Sequence, residues 1–326
     1  MGQYDLLRGS FIPPPAIRQL RDLTRWRAHL QQDRNRVINR IARLLEKANL
    51  KLSSVASNIV GKTGRLVLEA LARGQDEPGQ LAQLARGSLK LKQVDLARAL
   101  DGFPDPHFRW LLSELLDELR RLDEKVSELD VRIRQQVQPW SEVVKRLCTI
   151  PGIQEIAAWT LLAELGTDMS VFPDAAHAAS WAGLCPGNAE SAGKRFSGRT
   201  RKGDRYLRRM LVQNAWVAAH MKDCFLAALF SRMAVRKGMK KAALAVAHRI
   251  LIIAYYVIRD GHMYREAGGD YFDRLHPERT AKKLTRRLQR IGFEVVVTPG
   301  SASPKPAQQP RCSKCAKVAH RLHSRP

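Results

Sequence analysis

The sequence predicts an all-α protein: a long helical hairpin or coiled-coil segment, then a compact helical domain holding a helix-hairpin-helix-like turn. Three observations carry this prediction. Apolar residues recur at helical spacing from Ile17 to Leu45. They recur again, in steps of three and four, from Phe108 to Val137. Across the whole chain only Phe293–Val297 reads as a strand. A spacing of three and four residues puts apolar side chains on one face of a helix, whereas a strand needs alternation.

Pro13-Pro14-Pro15 closes a short extended lead. Ile17, Leu20, Leu23, Leu30, Val37, Ile41, Leu44 and Leu45 then form the apolar stripe of the first helix. Arg21, Arg25, Arg27, Arg34, Arg36, Arg40 and Arg43 occupy the face opposite. Residues 51–104 read as several short helices broken at Gly61, Gly64, Gly74, Pro78-Gly79, Gly87 and Gly102-Phe-Pro104. The second stripe, Leu112, Leu115, Leu119, Leu122, Val126, Leu129, Ile133 and Val137, extends over about four heptads. A hairpin with the first helix and a coiled-coil dimer contact would each bury it, and Pro139, which ends the stripe, favours the hairpin.

Leu147–Gly166 contains an apolar-Pro-Gly-apolar turn between two short helices. That turn would aim the amides of Gly152, Ile153 and Gln154 at a phosphate, with the second helix's dipole behind them. A plain αα-hairpin is the alternative. Further helices are expected over about 174–182, 204–222, 223–236 and 239–260, with Asp204 as an N-cap. The apolar run from Ala242 to Ile258 is interrupted by His248 and Arg249 and reads as a buried helix, not a membrane span. Beyond residue 297 the composition predicts a disordered basic tail.

Lys and Arg number 56 against 31 Asp and Glu, a formal net charge of +25. A field of that sign and size calls for a polyanion, and nucleic acid is the first expectation. Aromatic residues make up only 6%, which argues against a surface that reads single strands by stacking. Cys148, Cys185 and Cys224 stand in apolar segments and read as reduced, buried thiols. The polar N-terminus lacks a signal peptide's pattern, so a cytoplasmic, DNA-facing protein is expected. Cys312, Cys315, His320 and His323 have the donor types of a zinc site without its apolar shell, so no metal is assigned. His177, His220 and His248 read as packed or capping residues.

Ser191–Arg209 says most about chemistry. It holds eight Lys or Arg against the single acid Asp204, with serines and glycines among them. A hydroxyl among guanidinium groups suits attack on a phosphodiester: the serine supplies the nucleophile and the cations hold the phosphate and offset transition-state charge. Lys194, Arg195, Arg199, Arg201, Lys202, Arg205 and Arg208 are the phosphate-holding candidates. The alternative is a basic loop that only positions the backbone.

Several segments, in order, resemble one family. These are Ile150–Ile153, Phe172-Pro173, Ala179–Asn188, Glu190–Lys194 and Lys202–Arg208, preceded by Leu6–Pro15 and Leu20–Arg27. The family is that of the bacterial insertion-sequence transposases related to the Piv/MooV DNA invertases, the insertion-sequence one-hundred-ten type. The resemblance covers about residues 6–265. It implies an N-terminal RuvC-like domain with a DEDD set of metal-binding acids, a helical C-terminal domain supplying a serine nucleophile and, in several members, a structured bridge RNA. By position the nucleophile falls on Ser191, with Ser197 the alternative. Only five residues precede the Leu6 segment, so the acidic domain is expected to be missing.

Residues 1–16 are then a linker remnant, 17–139 a basic helical or coiled-coil region and 140–265 the transposase domain, followed by a basic helical extension (266–296) and the tail (297–326). The resemblance thus implies a transposase or site-specific recombinase polypeptide, with a truncated, non-catalytic binding remnant as the alternative. No cofactor is assigned to this chain, while the complete family protein would use a divalent metal such as magnesium. DNA, a guide RNA and a second copy of the chain are the expected partners, and a membrane is not.

Overall fold

The computed structural model describes residues 12–187, 189–197 and 199–298, which are mainly helical. The expected disorder of the tail and its Cys/His group lie outside the described residues. The chain divides into two compact units, residues 22–136 and residues 1–21 with 137–326.

In the unit 22–136, α1 (Pro15–Lys47) and α6 (Pro106–Val137) are the long elements. Between them come α2 (Leu52–Val55), α3 (Lys62–Ala72), α4 (Pro78–Gln83), a 3-10 turn and α5 (Gln93–Ala99). Both expected stripes are buried: Leu30, Val37, Ile41 and Leu45 on α1, and Leu112, Leu119, Leu129 and Ile133 on α6. Each such side chain contributes about 1.5–3 kcal/mol when fully removed from water. Ion pairs align the two helices antiparallel: Arg27 pairs with Asp130, Arg34 with Asp123 and Arg40 with Glu118. Arg65 of α3 joins Arg34 at the same Asp123 carboxylate. The hairpin reading therefore describes this pairing, and part of the basic face of α1 is answered by acids of α6. Gly64 does not break a helix. It sits inside α3, where a Cβ would stand 2.0 Å from the Ile59 carbonyl oxygen.

The second unit contains α7 (Ser141–Leu147), α8 (Glu155–Leu165), α9 (Ala175–Trp181) and a two-stranded hairpin of β1 (Ala189–Ser191) and β2 (Lys194–Ser197). It continues with α10 (Arg205–Ala219), α11 (Phe225–Lys237), α12 (Met239–Asp260), α13 (Tyr271–Leu275) and α14 (Pro277–Arg290). α12 is the central helix, packed against α7, α9, α10 and α11. It is long and apolar enough by composition to cross a membrane, yet Val246, Ile250, Leu251, Ala254 and Tyr255 are buried in this core. Arg21 ties the start of α1 to the end of α8. Its guanidinium donates to the carbonyls of Ala163 and Glu164 at 3.0 Å and pairs with the buried Glu164 carboxylate at 3.1 Å.

The strand expected at Phe293–Val297 is not formed; these residues have no regular structure. A strand needs a neighbour for its amides and carbonyls, and among the described residues no strand pairs with this segment; Val296 is 85% exposed. The described strands lie instead at 189–197, inside what the sequence presented as a basic loop.

Candidate functional site

The candidate site is built on the connection between α9 and α10. Asp174 caps α9, accepting the His177 amide at 2.8 Å and facing the His177 Nδ1 at the same distance. Those contacts from His177 hold the Asp174 carboxyl below its ordinary range. Asp204 caps α10 as expected, accepting from the Leu207 amide at 2.7 Å. Leu207, Leu211, Ala215 and Ala218 are the buried face of α10, which packs against α8, α11 and α12. The start of α10 is thereby fixed on the core.

Two glycines bring the ends of α9 and α10 together. A Cβ on Gly203 would lie 2.3 Å from the Gly183 nitrogen. One on Gly183, whose φ is +70°, would lie 2.9 Å from both the Arg201 oxygen and the Gly203 nitrogen. Backbone meets backbone here, and any side chain would force the helices apart. Above this clamp Pro186 bridges to Thr200, and the Gly187 amide donates to the Arg199 carbonyl at 2.8 Å. Cys185, half-buried, is the thiol at this base. Burial pushes its pKa up, against the opposing charge of Arg201.

The hairpin continues from there to its tip. Glu190 pairs with Arg195 and Ser191 with Lys194, while Ala189 pairs with Ser197, leaving Phe196 as the extra residue of a bulge. Ala192 and Gly193 form the two-residue turn, with φ of +50° and +73°. Positive φ at both central positions is what a type I′ turn requires, and its twist suits a tight hairpin. Ser191 is therefore the last ladder residue before the turn, and it is exposed. Ser197 lies beyond the bulge on the opposite strand. The ladder places Lys194 and Arg195 across from Ser191 and Glu190. Arg199, Arg201, Lys202 and Arg205 are exposed along the return strand and the first turn of α10, and Arg208 is half-buried. Arg205 lies over the Tyr206 ring, 4.9 Å from its centroid.

The Ile150–Gln154 turn sits between α7 and α8. The Ile153 amide donates to the Ile150 carbonyl at 3.0 Å, so that donor is used within the turn. Gly152, at φ +84°, is where α10 comes closest, since a Cβ there would meet the Asn214 oxygen at 2.7 Å. Gln154 is the exposed N-cap residue of α8. The turn thus approaches α10 at Asn214 and Ala218, while the hairpin leads into the start of the same helix. Among the described residues no three His, Cys, Asp or Glu side chains form a group that could hold a metal ion. The divalent metal implied by the resemblance has no ligand set among them.

Sequence reasoning missed the glycine clamp and the hairpin. Its available signals were Gly183 ahead of the basic segment, Gly203 within it, and the Ala-Gly pair near its start.

Part of this chain, including the hairpin and its base, is similar in sequence to known proteins. Residues 144–229, from α7 into α11, match the transposase IS116/IS110/IS902 family. A Sinorhizobium fredii protein bearing the name transposase y4pF/y4sB is 32% identical over 161 residues, 48% of this chain and 39% of that protein. The transposase for insertion sequence element IS1328 of Yersinia enterocolitica is 29% identical over 163 residues, 49% of this chain and 48% of its own. The pilin gene-inverting protein of Moraxella bovis is 30% identical over 154 residues, 45% of this chain and 48% of its own. The chain spans less than half the length of each of these relatives.

Proposed function

We propose, because residues 144–229 match the IS116/IS110/IS902 transposase family, that the chain is a DNA transposase or site-specific recombinase polypeptide in which Ser191 is the nucleophile. The observation that carries this reading is the exposed position of Ser191 at the end of a strained hairpin that rises from a rigid base. A nucleophile that must enter a DNA backbone has to project from its domain, and a tight turn clamped at two glycines supplies that projection.

In the step proposed, Ser191 Oγ attacks phosphorus and loses its proton. The Oγ–P bond forms, one P–O bond of the DNA strand breaks, and the departing sugar oxygen takes up a proton. Attack by another strand's hydroxyl on the serine–phosphate link reverses the sequence and rejoins DNA. Lys194, Arg195, Arg199, Arg201, Lys202, Arg205 and Arg208 hold phosphate and offset the charge that builds on its oxygens. A serine hydroxyl needs a base or metal to become a strong nucleophile. The isolated chain is therefore expected to bind DNA without cutting it, and to cut when the family's metal-binding acids are supplied. A structured RNA is a second polyanion for the same cationic surface, and self-association through the helical region is part of the same proposal.

The test is a covalent trap: the chain is joined with a complete family member's acidic domain, incubated with labelled element-end DNA and resolved under denaturing conditions. A protein–DNA adduct lost in Ser191→Ala and kept in Ser197→Ala is the expected result. An adduct that survives Ser191→Ala would move the nucleophile elsewhere, first to Ser197. Robust strand transfer by the 326-residue chain alone would show that added acids are dispensable.

A further inference from the structure

Helix α14 is an amphipathic cation stripe that the hairpin chemistry does not use. Its fourteen residues contain Arg279, Lys282, Lys283, Arg286, Arg287 and Arg290 against the single acid Glu278, and no aromatic side chain. At about 100° per residue these six cations fall within an arc of about 140°, spread over about 16 Å of helix axis. Leu284, Leu288 and Ile291 lie on the other side. No side chain of α14 is buried. All six cations are exposed, and among the described residues none of them enters an ion pair.

That last point separates α14 from α1, whose Arg27, Arg34 and Arg40 are answered by acids of α6. On α14 the cations repel one another at i,i+3 and i,i+4 spacing (Arg279 with Lys282 and Lys283, Lys282 with Arg286, Lys283 with Arg287). A helix with no fully buried side chain recovers little of that cost by packing. A negatively charged partner would offset it. After the helix the chain runs back along one flank, where Val295 and Val297 share a groove with Ala281, Thr285 and the two cations at that edge of the arc, Lys282 and Arg286. Arg279, Lys283, Arg287 and Arg290 lie off that groove, and all six cations stay exposed.

We propose that α14 is a second, sequence-independent contact with the phosphate backbone of a duplex DNA, separate from the serine hairpin. The inference rests on the reading of the chain as a DNA-handling polypeptide. Charge complementarity selects the partner: a duplex carries one negative charge per about 1.7 Å of axis, so the length of α14 meets a surplus of phosphates. The lack of any aromatic residue argues against stacking on single strands. The narrow strip of three large aliphatic residues is also smaller than the apolar face, rich in Trp, Phe and Leu, of a helix that lies in a membrane interface.

The experiment measures binding of the full chain to two unrelated duplexes across a salt series. Wild type is compared with Lys282→Gln/Lys283→Gln/Arg286→Gln/Arg287→Gln and with a charge-keeping swap, Lys282→Arg/Lys283→Arg/Arg286→Lys/Arg287→Lys. Arg199→Gln/Arg201→Gln serves as the hairpin arm. The neutralised helix should lose about tenfold or more in affinity, equally on both duplexes, with a log–log salt slope shallower by about 3 to 4. The swap should restore both. An unchanged slope in the neutralised variant, with wild type still bound, overturns the α14 contact. So does a loss confined to one duplex, or one seen only with anionic vesicles or with RNA. If wild type itself ignores both duplexes, the DNA reading of the whole chain fails first, and circular dichroism shows whether each variant keeps its helices.

Discussion

At Gly203 and Gly183 two backbones approach so closely that one added carbon decides whether α9 and α10 can meet. Gly203→Ala puts a methyl 2.3 Å from the Gly183 nitrogen. The backbone must shift, at about 1–3 kcal/mol, and a urea titration should show that loss as a lower midpoint with an unchanged slope. Covalent capture of DNA should fall with it, because the hairpin base is displaced. Ala192→Gly should do the opposite: φ of +50° costs alanine about 1 kcal/mol that glycine does not incur, so stability should hold or rise slightly. Ala192→Val should lose stability, since a β-branched side chain tolerates positive φ poorly. These positions also mark where the sequence was least legible. Asn-Gly or Asp-Gly would have announced a type I′ hairpin, but Ala192-Gly193 with a bulge at Phe196 gives neither the turn signal nor clean alternation. Hydroxyls among cations were readable from composition, and the preference for Ser191 over Ser197 came from the resemblance, whereas the strand register that orders them depends on a turn whose first residue is atypical.

At the scale of elements, the two long stripes were legible because their spacing of three and four is sustained over many turns and each stripe has a partner to bury it. Phe293–Val297 has strand composition but, among the described residues, no neighbouring strand, so local preference had nothing to pair with. The basic face of α1 was legible as charge, while its partners, Asp123, Asp130 and Glu118, were visible only once α6 ran antiparallel beside it. Asp123 gives this contact a pH signature. Partial burial raises its pKa, but hydrogen bonds from Arg65 and Arg34 outweigh that and hold the carboxyl below its ordinary value. A depressed folded pKa means stability that is fully present above the unfolded value of about 3.9 and is lost as pH falls through the folded one. Asp123→Asn should therefore cost about 1 kcal/mol near neutral pH, and the gap from wild type should close at acid pH. Chemical denaturation at pH 7 and at about pH 3 measures both ends. A gap that widens in acid would refute the assignment.

Over the whole molecule the charge is unevenly held. The unit 22–136 contains 21 Lys and Arg against 16 Asp and Glu, a surplus of five, which leaves 35 against 15, a surplus of twenty, for residues 1–21 and 137–326. Several of the arginines in the smaller unit are already paired within it. That unit also has its own buried cluster, running from Val37 and Ile41 through Leu68 and Leu71 to Leu112 and Leu119. Two consequences can be measured on the fragment 22–136, which is continuous in sequence. With its core intact it should fold alone as a cooperative helical domain, visible as a helical circular dichroism spectrum and a single urea transition. Having little surplus charge, and part of that neutralised by ion pairs, it should displace few counterions from a duplex. Its binding should be weak, with a salt slope of about −2 or shallower, while the full chain's slope is several units steeper because each phosphate contact contributes about −0.9. The comparison has to be made in the same buffer, since the difference in affinity shrinks as salt rises. A fragment that binds duplex DNA as tightly and as salt-dependently as the full chain would place the nucleic-acid surface on the α1–α6 unit, and would strip the hairpin and α14 of their role as the main cationic contacts.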